Sequence, residues 1–192
     1  SIALGNAKKE LLHLGNYAVK AFDLSYDYII NSNEKVAEKG HKTEEAINTI
    51  DEKLTRYLIS LSSEALSQKE SEVLTNILDS SRDLERIGDH AEALINLNDY
   101  LQRKNVQFSE AALEELAEIY LKTSEFVKDA LESVENNDLE KAQALIERHE
   151  DINKMERVLR KTHIKRLNNG ECSTQAGVNF IDIISHYTRV SD

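Results

Sequence analysis

The 192-residue chain contains no proline, one cysteine and six glycines, and its 24 lysines and arginines are outnumbered by 35 acidic side chains. Each shortage excludes something. Without proline, and with few strings of β-branched residues, there is little material for sheets and their tight turns, so the chain reads as all-α. The single thiol, Cys172, excludes an internal disulfide and fits a reducing, cytosolic compartment. No apolar run approaches the roughly 18 residues a membrane-spanning helix needs, and no signal-peptide pattern opens the chain. The net charge of −11 argues against nucleic acid as a partner, because phosphate backbones are bound by excess Lys and Arg. It permits cations, and a phosphate ion would then need a basic cluster or a bridging metal. What the chain does have is 40% hydrophobic residues, enough for a core.

Those residues recur at the three- and four-residue spacing of helix-bundle seams. Helix one is expected over 3–30, with Leu11, Leu14, Ala18, Ala21, Ser25 and Tyr28 in one row and Asn31-Ser32-Asn33 as its stop. Helix two follows over 34–61 with Ile47, Ile50, Leu54, Tyr57 and Leu61, and Gly40 is read as interrupting its start. Ser67-Gln68-Lys69-Glu70 matches a capping box, in which the serine caps the third amide and the glutamate reaches back. Helix three runs from there to about Arg103. After a polar break, Ser109 is an N-cap and the pattern restarts. Leu116, Tyr120, Thr123, Val127 and Ala130 each lie 102 positions after a counterpart in helix one, as do Ile152 and Leu159 after Ile50 and Tyr57. Asn136-Asn137-Asp138 repeats the first turn, Asn168-Asn169-Gly170 ends helix five, and helix six begins near Ser173. The repeat predicts two tandem three-helix bundles, residues 1–104 and 105–192, built of long antiparallel helices with the sixth truncated.

Helix three carries the stretch Arg82-Asp83-Leu84-Glu85-Arg86-Ile87-Gly88-Asp89-His90-Ala91-Glu92. Glu85 and Asp89, four residues apart, share a helix face, and Glu92 continues the row. Like charges at that spacing repel by a few tenths of a kcal/mol. A cation over the face reverses that cost, and hard cations prefer carboxylate oxygens. Gly88, between the two acids, costs about 1 kcal/mol in a helix interior relative to alanine and marks a close approach. Two readings stand. One is a metal-binding face. The other is a solvated helix in which Arg82 pairs with Glu85 and Arg86 with Asp89, while Gly88 packs on a neighbouring backbone. Folding helix three back on helix two about Ala65 brings Glu45 level with Glu85 and Asp89, and His41 level with His90. In the second copy Glu150 comes level with Asp192, and Glu147 is the counterpart of Glu45. Carboxylates at one height on facing helices are how bundles build metal sites. These six acids are the metal candidates, with His41, His90 and Glu92 as a second tier. His13, His149, His163 and His186 lack a partner at ligand spacing and read as ordinary polar residues. Glu38-Lys39-Gly40-His41 has the Glu-x-x-His spacing of di-iron bundles but is not repeated, so an oxygen-activating enzyme is not expected.

The run Asp83-Leu84-Glu85-Arg86-Ile87-Gly88-Asp89-His90-Ala91 resembles the signature of the PhoU family. That family consists of two three-helix bundles in tandem, each with a Glu/Asp-x-x-x-Asp motif on its third helix, and it regulates phosphate uptake. The resemblance covers essentially the whole chain. A second segment, His163-Ile164-Lys165-Arg166-Leu167-Asn168-Asn169-Gly170-Glu171-Cys172-Ser173 with Gly177 and Phe180, is similar to the PhoU-like domain at the C-terminal end of bacterial sodium/phosphate cotransporters. So is the opening Lys8-Lys9-Glu10-Leu11 with Leu14-Gly15. The resemblance implies that Glu85 and Asp89 hold a divalent or trivalent metal, iron or another, with phosphate bound through it. It implies a weaker second face, because the second motif matches only in Asp192 and Thr188 stands where the family has an acid. The expected function is a non-enzymatic regulatory domain of a sodium-dependent phosphate transporter. It would be joined to that transporter's transmembrane domain on the cytoplasmic side of the cell membrane. The alternative is a free-standing PhoU-type negative regulator of ABC phosphate transport and its sensor kinase. Association as a homodimer is open under either.

Overall fold

The computed structural model describes residues 2–192, and residue 1, the expected start of the first unit, lies outside it. Among the described residues there are six helices and no strand: α1 (Ile2–Asn31), α2 (Glu34–Ser62), α3 (Gln68–Arg103), α4 (Glu110–Asn136), α5 (Leu139–Asn168) and α6 (Thr174–Val190). None is long and apolar enough to cross a membrane. The helix ends follow local chemistry. Ser67 and Glu70 close a full capping box, Ser67 Oγ accepting from the Glu70 amide at 3.1 Å and Glu70 Oε1 from the Ser67 amide at 3.1 Å. Ser109, Asp138 and Ser173 cap the starts of α4, α5 and α6. Asn137 takes the left-handed conformation (φ 52°) that ends α4, and Gly170 does so (φ 71°) beyond α5.

Short loops make successive helices antiparallel, so α1, α2 and α3 pack as one bundle and α4, α5 and α6 as another. The bundles join where α1 meets α4 and α3 meets α6, and the main apolar core runs through both, with a small second cluster of Tyr28, Ala37 and Ile95 in the first bundle. Phe22, Tyr120 and Tyr187 anchor the junction, with Phe22 edge-on to Tyr187 at 5.4 Å and Tyr26 stacked on Tyr120 at 3.9 Å. Tyr120 donates a short hydrogen bond to Asp23 across the same seam.

Two expectations need correcting. Gly40 does not interrupt α2, which runs through it unbroken, because Ile95 of α3 packs over the glycine and a Cβ there would lie 2.4 Å from Ile95 Cδ1. The 102-position repeat also fails in α5. Ile50 is half-buried and Tyr57 exposed, its hydroxyl donating to the Ala3 carbonyl at 3.3 Å. The buried stripe of α5 instead repeats that of α2 at 105 positions, from Ile47 to Ile152, Leu54 to Leu159 and Leu58 to His163. The cause is at the end of α4. The row in α1 stops at Asn31, three residues after Tyr28, whereas α4 continues six residues past Ala130 to Asn136, so everything in α5 is displaced by three. That displacement decides what faces the second motif.

Candidate metal centre

Five seam positions of α2 run 44, 47, 51, 54 and 58, and two of them are acids. Glu44 is only 5% exposed, with Oε2 buried and without a hydrogen-bond partner. It projects at α3 where Gly88 removes a side chain: a Cβ on Gly88 would lie 2.4 Å from Glu44 Oε2. Glycine is therefore the residue that lets a carboxylate settle against the α3 backbone. Oxygens of Glu44, Glu85 and Asp89 then gather within 4.8 Å of one another, the first buried, the second half-buried and the third exposed. Two turns along α2 from Glu44, Asp51 is held beside Glu85, and its Oδ1 is buried and unpartnered.

Burying acids this close raises the free energy of their charged forms. Burial, and then the charges of Asp89, Glu92 and Glu85, push the Glu44 carboxyl from 4.5 up to about 8. Glu85 is raised by burial and by Asp89 and Asp51, and Asp51 chiefly by burial. Near neutral pH the cluster therefore keeps a proton where a cation could sit. An unpartnered buried carboxylate oxygen, two further carboxylates at ligand spacing and a glycine cradle fit a hard cation, whose shell is built of oxygens. Leaving Glu44 charged and unpaired would cost several kcal/mol, so its place is explained by a proton or a cation.

Of the predicted residues, Glu85 and Asp89 are in this cluster. Glu45 is at the right height but exposed: one residue is a rotation of about 100° on a helix, and the seam selects Glu44 instead. His41 faces Glu92 at 3.8 Å on the margin rather than His90. His90 turns to the opposite neighbour, α6, where its Nδ1 meets His186 Nδ1 at 3.0 Å. Burial is the first cause lowering both imidazoles below their ordinary value. Glu147 and Glu150 are exposed on α5 and do not converge on Asp192 among the described groups of potential ligands.

What faces Asp192 is His149, Nε2 to Oδ1 at 3.4 Å. The 105-position register puts His149 at the place of Glu44, while α6 puts Thr188, Ser191 and Asp192 at those of Glu85, Gly88 and Asp89. Ser191 Oγ donates to the Thr188 carbonyl at 2.6 Å, which leaves it to accept from His149 Nδ1 at 3.0 Å, and Asn153 Nδ2 can donate to Nε2 at 3.3 Å. Thr188 Oγ1 is taken by the Ile184 carbonyl at 2.9 Å. The second face is thus a hydrogen-bonded network of imidazole, hydroxyl and amide groups with a single carboxylate, Asp192. Its serine is not an activated nucleophile either, since the hydroxyl proton is directed away from the imidazole. Glu44, Asp51 and His149 were missed by sequence reasoning. An acid interrupting an apolar seam was the available signal for the first two, and none existed for His149 without the α5 register.

Six helices in two tandem three-helix units, with an acidic seam between the second and third helices of the first, define the class as all-α double bundles. Within that class the chain belongs to the PhoU family, whose PhoU domain matches residues 11–97 and again 116–192, once in each unit. It is similar to the Phosphate-specific transport system accessory protein PhoU homolog 1 of Thermotoga maritima, 27% identical over 168 residues. That match takes in 88% of this chain, and the chain spans 64% of the length of that relative. PhoU from Pseudomonas aeruginosa superposes with a TM-score of 0.90 at 18% identity, over all of this chain and 91% of that one. The phosphate transport system regulatory protein PhoU from Streptococcus pneumoniae does so at 0.87 and 22%, over all of this chain and 89% of that one. At those identities the likeness concerns the fold.

Proposed function

We propose that this chain is a metal-binding, non-enzymatic regulator of phosphate transport, acting as an accessory protein of a phosphate-specific transport system. The observation that carries this reading is the family match in both three-helix units, together with the function in the Thermotoga relative's name. The acidic seam gives it a mechanism. A ligand regulates only by favouring one arrangement of the protein over another, and a cation on Glu44, Glu85 and Asp89 ties α2 to α3 where the ion-free seam must instead hold a proton. Phosphate, repelled by a chain of net charge −11, would reach this face through the metal. With so few clustered basic residues the chain docks on a transporter through protein contacts rather than on anionic lipid.

The reading as a domain of a sodium/phosphate cotransporter rests on the segment from His163 to Ser173 with Gly177. Packing accounts for several of those residues: Gly170 terminates α5, Ser173 caps α6, and a Cβ on Gly177 would lie 2.6 Å from Leu167 Cδ2. The accessory-protein reading is therefore preferred. The test is radiolabelled phosphate uptake in cells lacking the gene, complemented with wild type or with Glu44→Gln/Glu85→Gln/Asp89→Asn. Wild type should restore normal control of uptake and the triple variant should not. Equal restoration would remove the metal face from the function, no effect of wild type would remove the regulator, and an effect confined to sodium-driven uptake would favour the cotransporter reading.

A further inference from the structure

The carboxylate seam does not account for the histidine pair between α3 and α6. His90 and His186 come from different units, and both are half-buried with an outlet to solvent. Their Nδ1 atoms are 3.0 Å apart, with ring centroids at 5.2 Å and planes inclined by 61°. Without a metal this is a hydrogen bond between neutral imidazoles, one ring donating and the other accepting. Two imidazole nitrogens on one tetrahedral ion, each at about 2.0–2.1 Å, stand about 3.3 Å apart. Exchanging the shared proton for an ion therefore lengthens the Nδ1–Nδ1 distance by only a few tenths of an ångström, with both rings tilting so that their lone pairs meet at the ion. Asp182 lies one turn before His186 on the same face of α6 and Asp89 directly precedes His90, and these acids balance part of the charge of Arg86 and Arg189 alongside.

We propose that His90 and His186 form a second metal site, selective for a borderline transition ion such as zinc, nickel or cobalt, that clamps the third helix of one unit to the third helix of the other. Imidazole nitrogen suits such ions, whereas the carboxylate seam suits hard ones, so the chain offers two sites of different chemistry. Water completes the shell, since among the described residues no third carboxylate, imidazole or thiol gathers with the pair. The site lies where the two bundles meet, so an ion there stiffens their junction while leaving the α2–α3 seam untouched.

The test is zinc binding by calorimetry to wild type, His186→Ala, His90→Ala and, as the carboxylate variant, the Glu44→Gln/Glu85→Gln protein, which leaves Asp89 beside His90 in place. Zinc should bind the carboxylate variant within about twofold of wild type, and each histidine variant at least about tenfold more weakly. Unchanged affinity in the His186→Ala variant, or loss of affinity in the carboxylate variant alone, would overturn the proposal. X-ray absorption at the zinc edge of the unmutated protein is independent of how any variant folds. Outer-shell scattering from two imidazoles supports the site, and an all-oxygen shell overturns it.

Discussion

Glu44→Gln is the most informative single change, because the carboxyl it removes is the one the fold holds protonated. In the ion-free protein Glu44 titrates near 8 when folded and at its ordinary 4.5 when unfolded. Between those values unfolding releases a proton, so this group's contribution favours the native state below about pH 4.5 and is lost as the pH rises through about 8. At about 1.36 kcal/mol per pH unit the full effect would be roughly 5 kcal/mol. Solvent reaching the cluster through exposed Asp89 and half-buried Glu85 screens it, and about 2 kcal/mol is expected. Urea unfolding in the presence of a chelator, from about pH 5 to about pH 9, should show the stability of wild type falling relative to that of the glutamine variant by that amount. Saturating Mn²⁺ at a hundred times its dissociation constant should then stabilise wild type by about 2.7 kcal/mol and the variant by much less. A wild-type-minus-variant difference that stays constant with pH, or equal stabilisation by Mn²⁺, would refute the reasoning.

Mn²⁺ binding at neutral pH should release about one proton, read in a weakly buffered titration, and none from the Glu44→Gln protein. Gly88→Ala would put a Cβ 2.4 Å from Glu44 Oε2. It should lower Mn²⁺ affinity about tenfold or more, while unfolding free energy changes by no more than about 1 kcal/mol, because the helix gains what the displaced carboxylate loses. Ser67→Ala removes the hydroxyl of the capping box and should cost about 1 kcal/mol of stability in urea with metal binding unaltered. Leu58→Ala, at a fully buried seam position, should cost about 2–5 kcal/mol in the same assay.

Six helices and their caps were legible because the relevant physics is local: seam spacing, serine and aspartate at helix starts, asparagine and glycine beyond helix ends. Height along the bundle was legible too, since counting residues from the turn at Ala65 put the right part of α2 opposite Glu85 and Asp89. Rotation was not. The turn fixes height, but which face of α2 meets α3 is set by Ile47, Leu54 and Leu58 packing together, and that stripe selects Glu44 over its neighbour Glu45. The histidines show the same limit at longer range. His186 and His149 gain their partners from helices about a hundred residues away or from a three-residue register change, and a linear reading of ligand spacing sees neither.

The central claim is that Glu44, Glu85 and Asp89 hold a hard cation together. Anomalous diffraction from crystals of the intact chain soaked in Mn²⁺ tests it most directly. The account predicts a manganese peak within bonding distance, about 2.0–2.6 Å, of an oxygen from each of the three carboxylates, over Gly88, and none at Thr188 and Asp192. Manganese bound elsewhere with that seam empty at saturation would contradict it.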